Sequence, residues 1–388
     1  MKTNTKITFF LLILFFLNPF NYGFAFGYLL FAYQLFIGNL FYNGMKPISI
    51  TLLICTLTYA AFYSFDPVLG SQFIFLYAII PYTFLTCGRF LALENKEELI
   101  PKLFLLGFIL SLPSLISVLL SIQQEGFITI ERDVPNIWTG EPEPATNTAG
   151  ALILNMCIPA LLIIRWKFFK KNVYSILALV IFALSVTCVL RLGSRTHLVI
   201  AVFTVFVASF YKMTKQGAIK NAVLIGAIFI VSNLAFTYFT IDKDSDILSA
   251  YADRMDSKKH GAATAGGRLW KWERSTELIF EKPLGWRIDE IGLAHNLWFD
   301  VARVGGIISF GFLLVFTLKV FQKVMTIAYR KPMSVISIPG ILLIYLVGFY
   351  LLFFVEPIME GYFNCFVLFC VVAGSIVELA RIQYEGVE

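Results

Sequence analysis

Long apolar segments alternate with polar connections along most of the chain. A helix needs roughly 20 consecutive apolar residues to cross the ~30 Å hydrocarbon core of a bilayer. The pattern therefore predicts about twelve transmembrane helices, at residues 7–22, 24–42, 47–65, 70–90, 99–121, 148–164, 173–191, 196–211, 221–240, 296–318, 334–354 and 362–380. The first two windows are short and meet at Asn18-Pro19, so a broken or re-entrant pair is an alternative there.

Two polar segments, residues 122–147 and 242–296, interrupt this pattern. Loops of this length are uncommon and usually functional or disordered. Within the second segment, residues 267–281 are predicted to form an amphipathic helix in the membrane interface, ended by Pro283 and Gly285.

Composition strengthens the membrane assignment. Hydrophobic residues make up 58% of the 388 positions and charged residues only 14%, against about 25% charged residues in soluble domains. The chain is therefore predicted to be an all-α polytopic membrane protein, with residues 1–388 forming one integral membrane domain. Its six cysteines lie inside apolar runs without paired spacing, which predicts apolar packing rather than disulfides or metal ligands.

The basic residues predict the orientation. If both termini are cytoplasmic, 18 of the 31 basic residues and six of the 25 acidic residues fall on the cytoplasmic side. Basic residues in short loops, such as 165–171, determine how a membrane protein is oriented. This orientation places both long polar segments, and all three histidines, on or near the outer face.

The junction from Arg191 to His197 connects the seventh and eighth predicted spans. If it is helical, Arg191 and Arg195 lie one turn apart on one face. Two guanidinium groups there would match the oxygens of a diphosphate. The alternative is that these arginines anchor the helix ends at the lipid headgroups. His197 would orient Arg195 or pack against its neighbours.

The predicted amphipathic helix has an apolar arc and a basic edge. The arc contains Leu269, Trp272, Thr276, Ile279 and Phe280. Arg268 and Lys271 lie along its edge, which suits contact with lipid phosphates. Arg268 follows two glycines near the helix N-terminus, where anions bind readily. The alternative is an interfacial packing helix without a ligand.

His295 and Asn296 open the tenth predicted span. A neutral imidazole is the usual general base for a hydroxyl, so His295 is a candidate base. The alternative is a histidine that satisfies backbone donors at a helix start. His260, in a strongly charged stretch, is predicted to be a solvated loop residue.

Four charged residues complete the candidates. Asp300 and Arg303 are three positions apart in the tenth span, close enough to pair, and charges inside a membrane are usually functional or paired. Glu356 and Glu360 fall on the last outer loop. They are either acceptor-binding residues or part of a solvated turn.

Together these motifs resemble those of the O-antigen ligase/polymerase superfamily, which comprises bacterial inner-membrane glycan polymerases and ligases. The resemblance rests on Ser194-Arg195, Gly267-Arg268 with Trp272, Pro283-Leu284-Gly285, Ala294-His295-Asn296 and Gly305-Gly306. It covers roughly residues 145–375. It implies a GT-C-like fold and a reaction that needs no metal or other cofactor.

The resemblance also implies roles for individual residues. Arg195 and Arg268 would bind the diphosphate of an undecaprenyl-diphosphate-linked oligosaccharide, and His295 would activate the acceptor hydroxyl. These three are the predicted catalytic residues. The predicted substrate-binding residues are Arg191, Lys271, Asn296 and Arg303.

The expected reaction is a direct displacement with inversion at the anomeric carbon. The acceptor would be another lipid-linked glycan for a polymerase, or the lipid A core for a ligase. The modest insert and the net acidic outer loops favour the polymerase. Membrane lipids are expected partners, a chain-length regulator is a further candidate, and nucleic acid is not expected. The expected location is the inner membrane, with the active site facing the periplasm. A lipid-linked glycan transporter is the third alternative, although we find no internal repeat typical of transporters.

Overall fold

Helices form nearly all of the regular structure in the computed structural model, which describes residues 3–94, 96–127, 132–166, 172–238, 267–330 and 337–385. Within these ranges, strand is confined to β1 (Val134–Pro135) and β2 (Pro142–Glu143), which pair antiparallel. The predicted all-α class is confirmed for the described part of the chain.

The helices divide into two sets along the chain. The first set is α1 (Thr3–Leu17), α2 (Gly23–Phe36), α3 (Asn39–Gly44), α4 (Pro47–Tyr63), α5 (Gln72–Glu94), α6 (Lys96–Glu125), α7 (Ala145–Gly150), α8 (Ile153–Met156) and α9 (Ile158–Ile164). The second set is α10 (Asn172–Arg191), α11 (Arg195–Met213), α12 (Ala218–Tyr238), α13 (Leu269–Glu281), α14 (Ile288–Ile291), α15 (Leu297–Met325), α16 (Ser337–Val355), α17 (Ile358–Gly361) and α18 (Phe363–Glu385).

Seven helices in the described ranges are long and apolar enough to cross a bilayer. They are Gln72–Glu94, Glu98–Glu125, Val173–Arg191, Arg195–Met213, Leu297–Tyr329, Ser337–Val355 and Phe363–Gln383. Four further apolar helices are shorter: Thr3–Leu17, Gly23–Phe36, Pro47–Tyr63 and Ala218–Ile230. The chain is therefore a multi-pass membrane protein by helix length and composition, while the full set of twelve spans stays a prediction.

The first two apolar windows fold as two short helices. At 1.5 Å per residue, α1 and α2 are each only about 22 Å long, less than the bilayer core. A 3₁₀ turn at Pro19–Asn21 joins them after Asn18, whose φ is 49°. The two helices also meet side by side, because Gln34 Nε2 donates to Thr8 Oγ1 at 2.7 Å. These lengths favour the broken pair over two full spans.

The sixth window, residues 148–164, is divided among α7, α8 and α9. Pro159, at the start of α9, has no N–H to continue the helix of α8. The buried Asn155 amide donates to Ser111 Oγ at 2.8 Å and to Ser185 Oγ at 3.1 Å. Irregular backbone at membrane depth is tolerated where protein rather than lipid surrounds it.

Helices α5 and α18 cross at very short distance in the centre of the bundle. A Cβ on Gly88 would lie 2.0 Å from Val371 O, and a Cβ on Gly374 would lie 2.0 Å from Leu85 O. Small residues at helix crossings let backbones approach closely where no hydrophobic effect drives association. These two glycines therefore fix the central pair.

A backbone junction attaches the insert that carries α13 to α15. The helix is interrupted at Gly306, whose φ is 64° and ψ is −170°. At the break, Ile307 N donates to Pro283 O at 2.8 Å and Trp286 N donates to Arg303 O at 2.9 Å. A Cβ on Gly306 would lie 2.5 Å from Pro283 O. The Pro283-Leu284-Gly285 motif therefore holds α13 beside the start of α15.

Gly306→Ala is expected to destabilise the protein, because the added Cβ would clash with Pro283 O. The backbone conformation at this position is also essentially confined to glycine, so alanine would be strained there. Such strain costs about 1–3 kcal/mol. The melting temperature of the purified protein in detergent should fall by a few degrees.

Gly311→Ala is the matched control on the same helix, since no described atom lies within 4 Å of its added Cβ. It should melt at or above the wild-type temperature, because alanine favours helix by about 1 kcal/mol over glycine. Equal melting temperatures for the two variants would contradict the claim that the backbone junction at Gly306 stabilises the protein.

Candidate functional site

Glu356 is the centre of a charged cluster at the C-terminal end of α16. Its carboxylate is buried, with 4% of the residue exposed. Arg268 Nη2 lies 3.3 Å from Oε1, and His295 Nδ1 lies 3.9 Å from Oε2. A buried carboxylate beyond the negative end of a helix is unfavourable unless cationic groups are near it. We call Arg268, His295 and Glu356 the Glu356 cluster.

The two partners of Glu356 reach solvent although the carboxylate does not. The Arg268 side chain is 20% exposed and the His295 side chain 32%, against 5% for Glu356. His295 Nδ1 is itself buried, so the exposed part of the imidazole is the rest of the ring, which includes Nε2. At 3.9 Å the contact to Glu356 is electrostatic rather than a hydrogen bond. The arrangement presents a guanidinium and an imidazole edge outward from one buried anion.

The backbone of His295 is held in a left-handed conformation, with φ at 55°. Such a φ is uncommon for a residue other than glycine. The Asp300 carboxylate accepts hydrogen bonds from Ala294 N at 2.7 Å and from Asn296 N at 3.1 Å. These bonds fix the residues on both sides of His295, and therefore the direction of its side chain.

Helix α13 clasps the same segment from the insert. Lys271 Nζ donates to Leu293 O at 2.8 Å, and Trp272 Nε1 donates to Ala294 O at 2.9 Å. The Lys271 ammonium is therefore directed to the Leu293 carbonyl. This part of the predicted basic edge contacts protein.

The amphipathic helix predicted at 267–281 is present as α13, but its buried face differs from the predicted arc. Ser275, Leu278 and Ile279 are buried, whereas Leu269 and Phe280 are 50% and 76% exposed. The helix packs against Trp286, Ile291 and Ala302. Contact with these residues, rather than the periodicity alone, determines its inner face.

Two predicted substrate-binding residues have structural partners. Asn296 is 4% exposed and caps α15, where its Oδ1 accepts from Trp298 N and Phe299 N. Arg303 forms a buried ion pair with Glu360. Asp300 and Arg303 interact electrostatically, but the Asp300 carboxylate is bonded to the backbone around His295 and the Arg303 guanidinium is directed to Glu360. These contacts favour a positioning role for Asn296.

Arg191 is fully buried at the end of α10. It donates to Gly126 O at 3.1 Å, Ser121 Oγ at 3.0 Å and Glu125 Oε2 at 3.2 Å. These contacts join α10 to the end of α6, so Arg191 contacts protein rather than the lipid headgroups. The helix is interrupted at Gly193, whose φ is 58°. The single helix face that was expected to carry Arg191 and Arg195 is therefore not formed.

Arg132, from the first polar loop, also reaches the junction. Its Nε donates to Leu192 O at 2.7 Å. Burial lowers the pKa of the Arg132 guanidinium, and the neighbouring Asp133 carboxylate opposes this shift most, followed by Tyr362 and Glu356. No sequence pattern marks Arg132, since a bond to a backbone carbonyl requires no particular partner residue.

His197 is buried close to the same cluster. Its Nδ1 lies 2.7 Å from Ser194 Oγ, and its ring interacts electrostatically with Glu356. The junction and the insert therefore meet near Glu356.

Two cavities adjoin the segment that follows α16, and neither is lined by a residue of the Glu356 cluster. The larger has a volume of about 340 Å³ and is lined by Asn136, Trp138, Glu143, Asn147, Tyr362 and Asn364, among others. The smaller, about 210 Å³, is lined in part by Tyr63, Trp286 and Arg287. Glu360 contributes to both. Burial raises the pKa of Glu143, and a hydrogen bond from Asn136 partly offsets this rise. Amides, carboxylates and indoles can bind the hydroxyls and the apolar faces of a small polar ring.

Candidate metal ligands fall both inside and outside the described ranges. In the described ranges, no group of three or more His, Cys, Asp or Glu side chains is arranged to hold a metal ion. Asp242, Asp244 and Asp246 alternate in the sequence, and carboxylates suit magnesium or manganese. These residues and His260 lie outside the described ranges, so metal independence stays a prediction.

Comparison of the sequence with protein-family models gives no match, and comparison with curated proteins gives none either. The functional interpretation therefore depends on the residues of this chain.

Trp272→Phe is expected to loosen the His295 segment, because it removes the indole N–H that binds Ala294 O. A buried carbonyl left without its partner costs about 1–3 kcal/mol. Hydrogen exchange of the backbone at residues 293–296, followed by mass spectrometry, should become roughly ten-fold faster.

Trp270→Phe is the matched control, since Trp270 is 54% exposed on the same helix. Its exchange should stay at the wild-type rate. Faster exchange in both variants, or in neither, would contradict the proposed clasp.

Proposed function

We propose that this protein is a bacterial membrane glycosyltransferase of the O-antigen polymerase/ligase type. It would transfer a glycan from undecaprenyl diphosphate to the hydroxyl of an acceptor sugar. The observation that supports this most is the Glu356 cluster, in which a partly exposed arginine and a partly exposed histidine share one buried carboxylate. The proposal includes the twelve-span, GT-C-like architecture and an active site that faces the periplasm.

Positive charge for the donor comes from several parts of the chain. Arg268 is partly exposed beside Glu356, Arg132 interacts electrostatically with the same carboxylate, and Arg195 begins α11 on the junction. Guanidinium groups bind phosphate oxygens in a forked geometry. A lipid diphosphate is already a good leaving group, so preorganised positive charge is the main assistance that its departure needs.

Acceptor activation is assigned to His295. The imidazole accepts the proton of the acceptor hydroxyl, and the Glu356 carboxylate beside Nδ1 stabilises the imidazolium that forms. The acceptor oxygen bonds to the anomeric carbon as the bond from that carbon to the diphosphate oxygen breaks. The diphosphate retains the electron pair, and configuration inverts at the anomeric carbon.

The larger outer cavity is the proposed acceptor site. Its amide and carboxylate oxygens can accept hydrogen bonds from sugar hydroxyls, and its amide N–H groups can donate to them. Trp138 can contact the apolar face of a ring. Tyr362 lines this cavity and also interacts electrostatically with Glu356 and Arg268. An acceptor in the cavity would therefore lie next to the cluster.

The polymerase remains the preferred form, because the insert is modest and the outer loops carry net negative charge. Neither feature offers a strongly basic docking surface for the phosphates of a lipid A core. A ligase is the second candidate. A lipid-linked glycan transporter is the third, and its polar groups would be expected near the membrane midplane rather than clustered at one face.

Arg268→Ala and His295→Ala are each expected to lower glycan transfer by roughly 10²–10³-fold, the usual effect of removing one preorganised charge-stabilising or proton-transferring group. The measurement is product formation by purified protein from an undecaprenyl-diphosphate-linked oligosaccharide, at equal concentration of folded protein.

Arg274→Ala is the matched control for Arg268→Ala. Arg274 lies on the same insert but pairs with Glu277 and Glu281 on the exposed side of α13. It should retain near-wild-type transfer. Near-wild-type product from Arg268→Ala or His295→Ala would contradict the assignment.

A strain that lacks the protein separates the two acceptors. Loss of a polymerase should leave single repeats on the cell-surface glycan, seen as a short band on a gel. Long chains retained on undecaprenyl diphosphate, with none on lipid A, would instead identify a ligase.

A further inference from the structure

A basic pocket lies among α4, α5, α15 and α18. Its volume is about 570 Å³. Five of its lining residues are basic, and none is acidic: Lys46, Arg89, Lys319, Lys323 and Arg381. We call it the basic pocket. Neither the cluster nor the proposed transfer reaction uses these residues.

The basic pocket is at the opposite end of the bundle from the Glu356 cluster. Helix α15 begins beside His295, and its continuous part from Ile307 to Lys323 alone extends about 24 Å at 1.5 Å per residue. Helix α18 likewise begins after Tyr362 and carries Arg381 near its other end. A bilayer core of ~30 Å therefore separates the two sites.

The base of the pocket is fixed by Arg89. This residue is 1% exposed and donates to Glu378 Oε2 at 2.7 Å, Asn43 O at 2.8 Å and Ser49 Oγ at 3.1 Å. The Glu378 carboxylate also accepts from Arg381 Nε at 2.7 Å. One carboxylate thus serves two arginines, and the three lysines leave the pocket strongly positive.

An apolar surface adjoins the positive charge. Val315 and Leu318 are 42% and 58% exposed on α15, and each lies one turn before a pocket residue, Lys319 and Gln322 respectively. Exposed apolar side chains on a membrane helix contact lipid chains. The pocket and this surface together suit a ligand with an anionic head and an apolar tail.

We propose that the basic pocket binds the headgroup of an anionic membrane phospholipid. The phosphate oxygens would contact Lys319 and Lys323, and the acyl chains would lie along Val315 and Leu318. Basic pockets between helices on the cytoplasmic side of membrane proteins are suited to such headgroups. A zwitterionic headgroup brings an ammonium into the same positive field and would bind more weakly.

The test is a lipid titration of the purified full-length protein, followed by native mass spectrometry. The probes are phosphatidylglycerol, phosphatidylethanolamine and soluble glycerol 1-phosphate. We expect phosphatidylglycerol to bind at least ten-fold more tightly than either of the others. Lys319→Gln/Lys323→Gln should lose at least ten-fold in affinity for it, and Lys319→Arg/Lys323→Arg should retain it.

Lys6→Gln/Lys220→Gln is the matched control, since it removes two exposed lysines outside the pocket. It should bind phosphatidylglycerol like the wild type. The proposal is overturned if the two double glutamine variants bind alike, or if phosphatidylethanolamine binds as tightly as phosphatidylglycerol. Displacement of the lipid by equimolar glycerol 1-phosphate would overturn it too, because the site would then take free phosphate. Unchanged melting temperatures exclude misfolding as the cause of any loss.

Discussion

The buried charge of Glu356 is the constraint on which the candidate site depends. A carboxylate with so little exposure needs compensating cations, and removing one partner of a buried pair is strongly destabilising. Arg268 from the insert is the cation, the His295 ring at the start of α15 lies beside the carboxylate, and Glu356 itself follows α16. Three separate segments therefore meet at this buried carboxylate. The same meeting point exposes a guanidinium beside an imidazole, which is the arrangement that the proposed chemistry uses.

Backbone contacts give that meeting point its geometry. Gly306 interrupts α15 and lets Pro283 approach, which docks the insert. Asp300, one turn into α15, holds the two residues that flank His295. The Trp272 indole holds the same segment from the insert side. Gly306 and Asp300 belong to separate motifs in the sequence. Together they determine the direction of the His295 side chain.

Local features were predictable from the sequence, and contacts between distant segments were not. The apolar windows at 173–191 and 196–211 closely match α10 and α11, because helix formation in a membrane follows from apolar length. Arg268, His295 and Glu356 were each identified by their chemistry. Their contact was not, since Arg268 and Glu356 are 88 positions apart and meet only through helix packing. The inner face of α13 depended likewise on what the helix meets, and the break at Gly193 separated the two junction arginines.

The most direct measurement of the central claim uses purified protein in liposomes with an undecaprenyl-diphosphate-linked oligosaccharide and an acceptor glycan. Released lipid diphosphate and newly formed glycosidic bonds are counted, and the anomeric configuration of the new bond is determined by NMR. If the Glu356 cluster performs an inverting transfer, one lipid diphosphate is released per bond formed, and every new bond has the configuration opposite to that of the donor. Movement of the intact lipid-linked glycan across the bilayer without any new bond, or retention of configuration, would contradict the account.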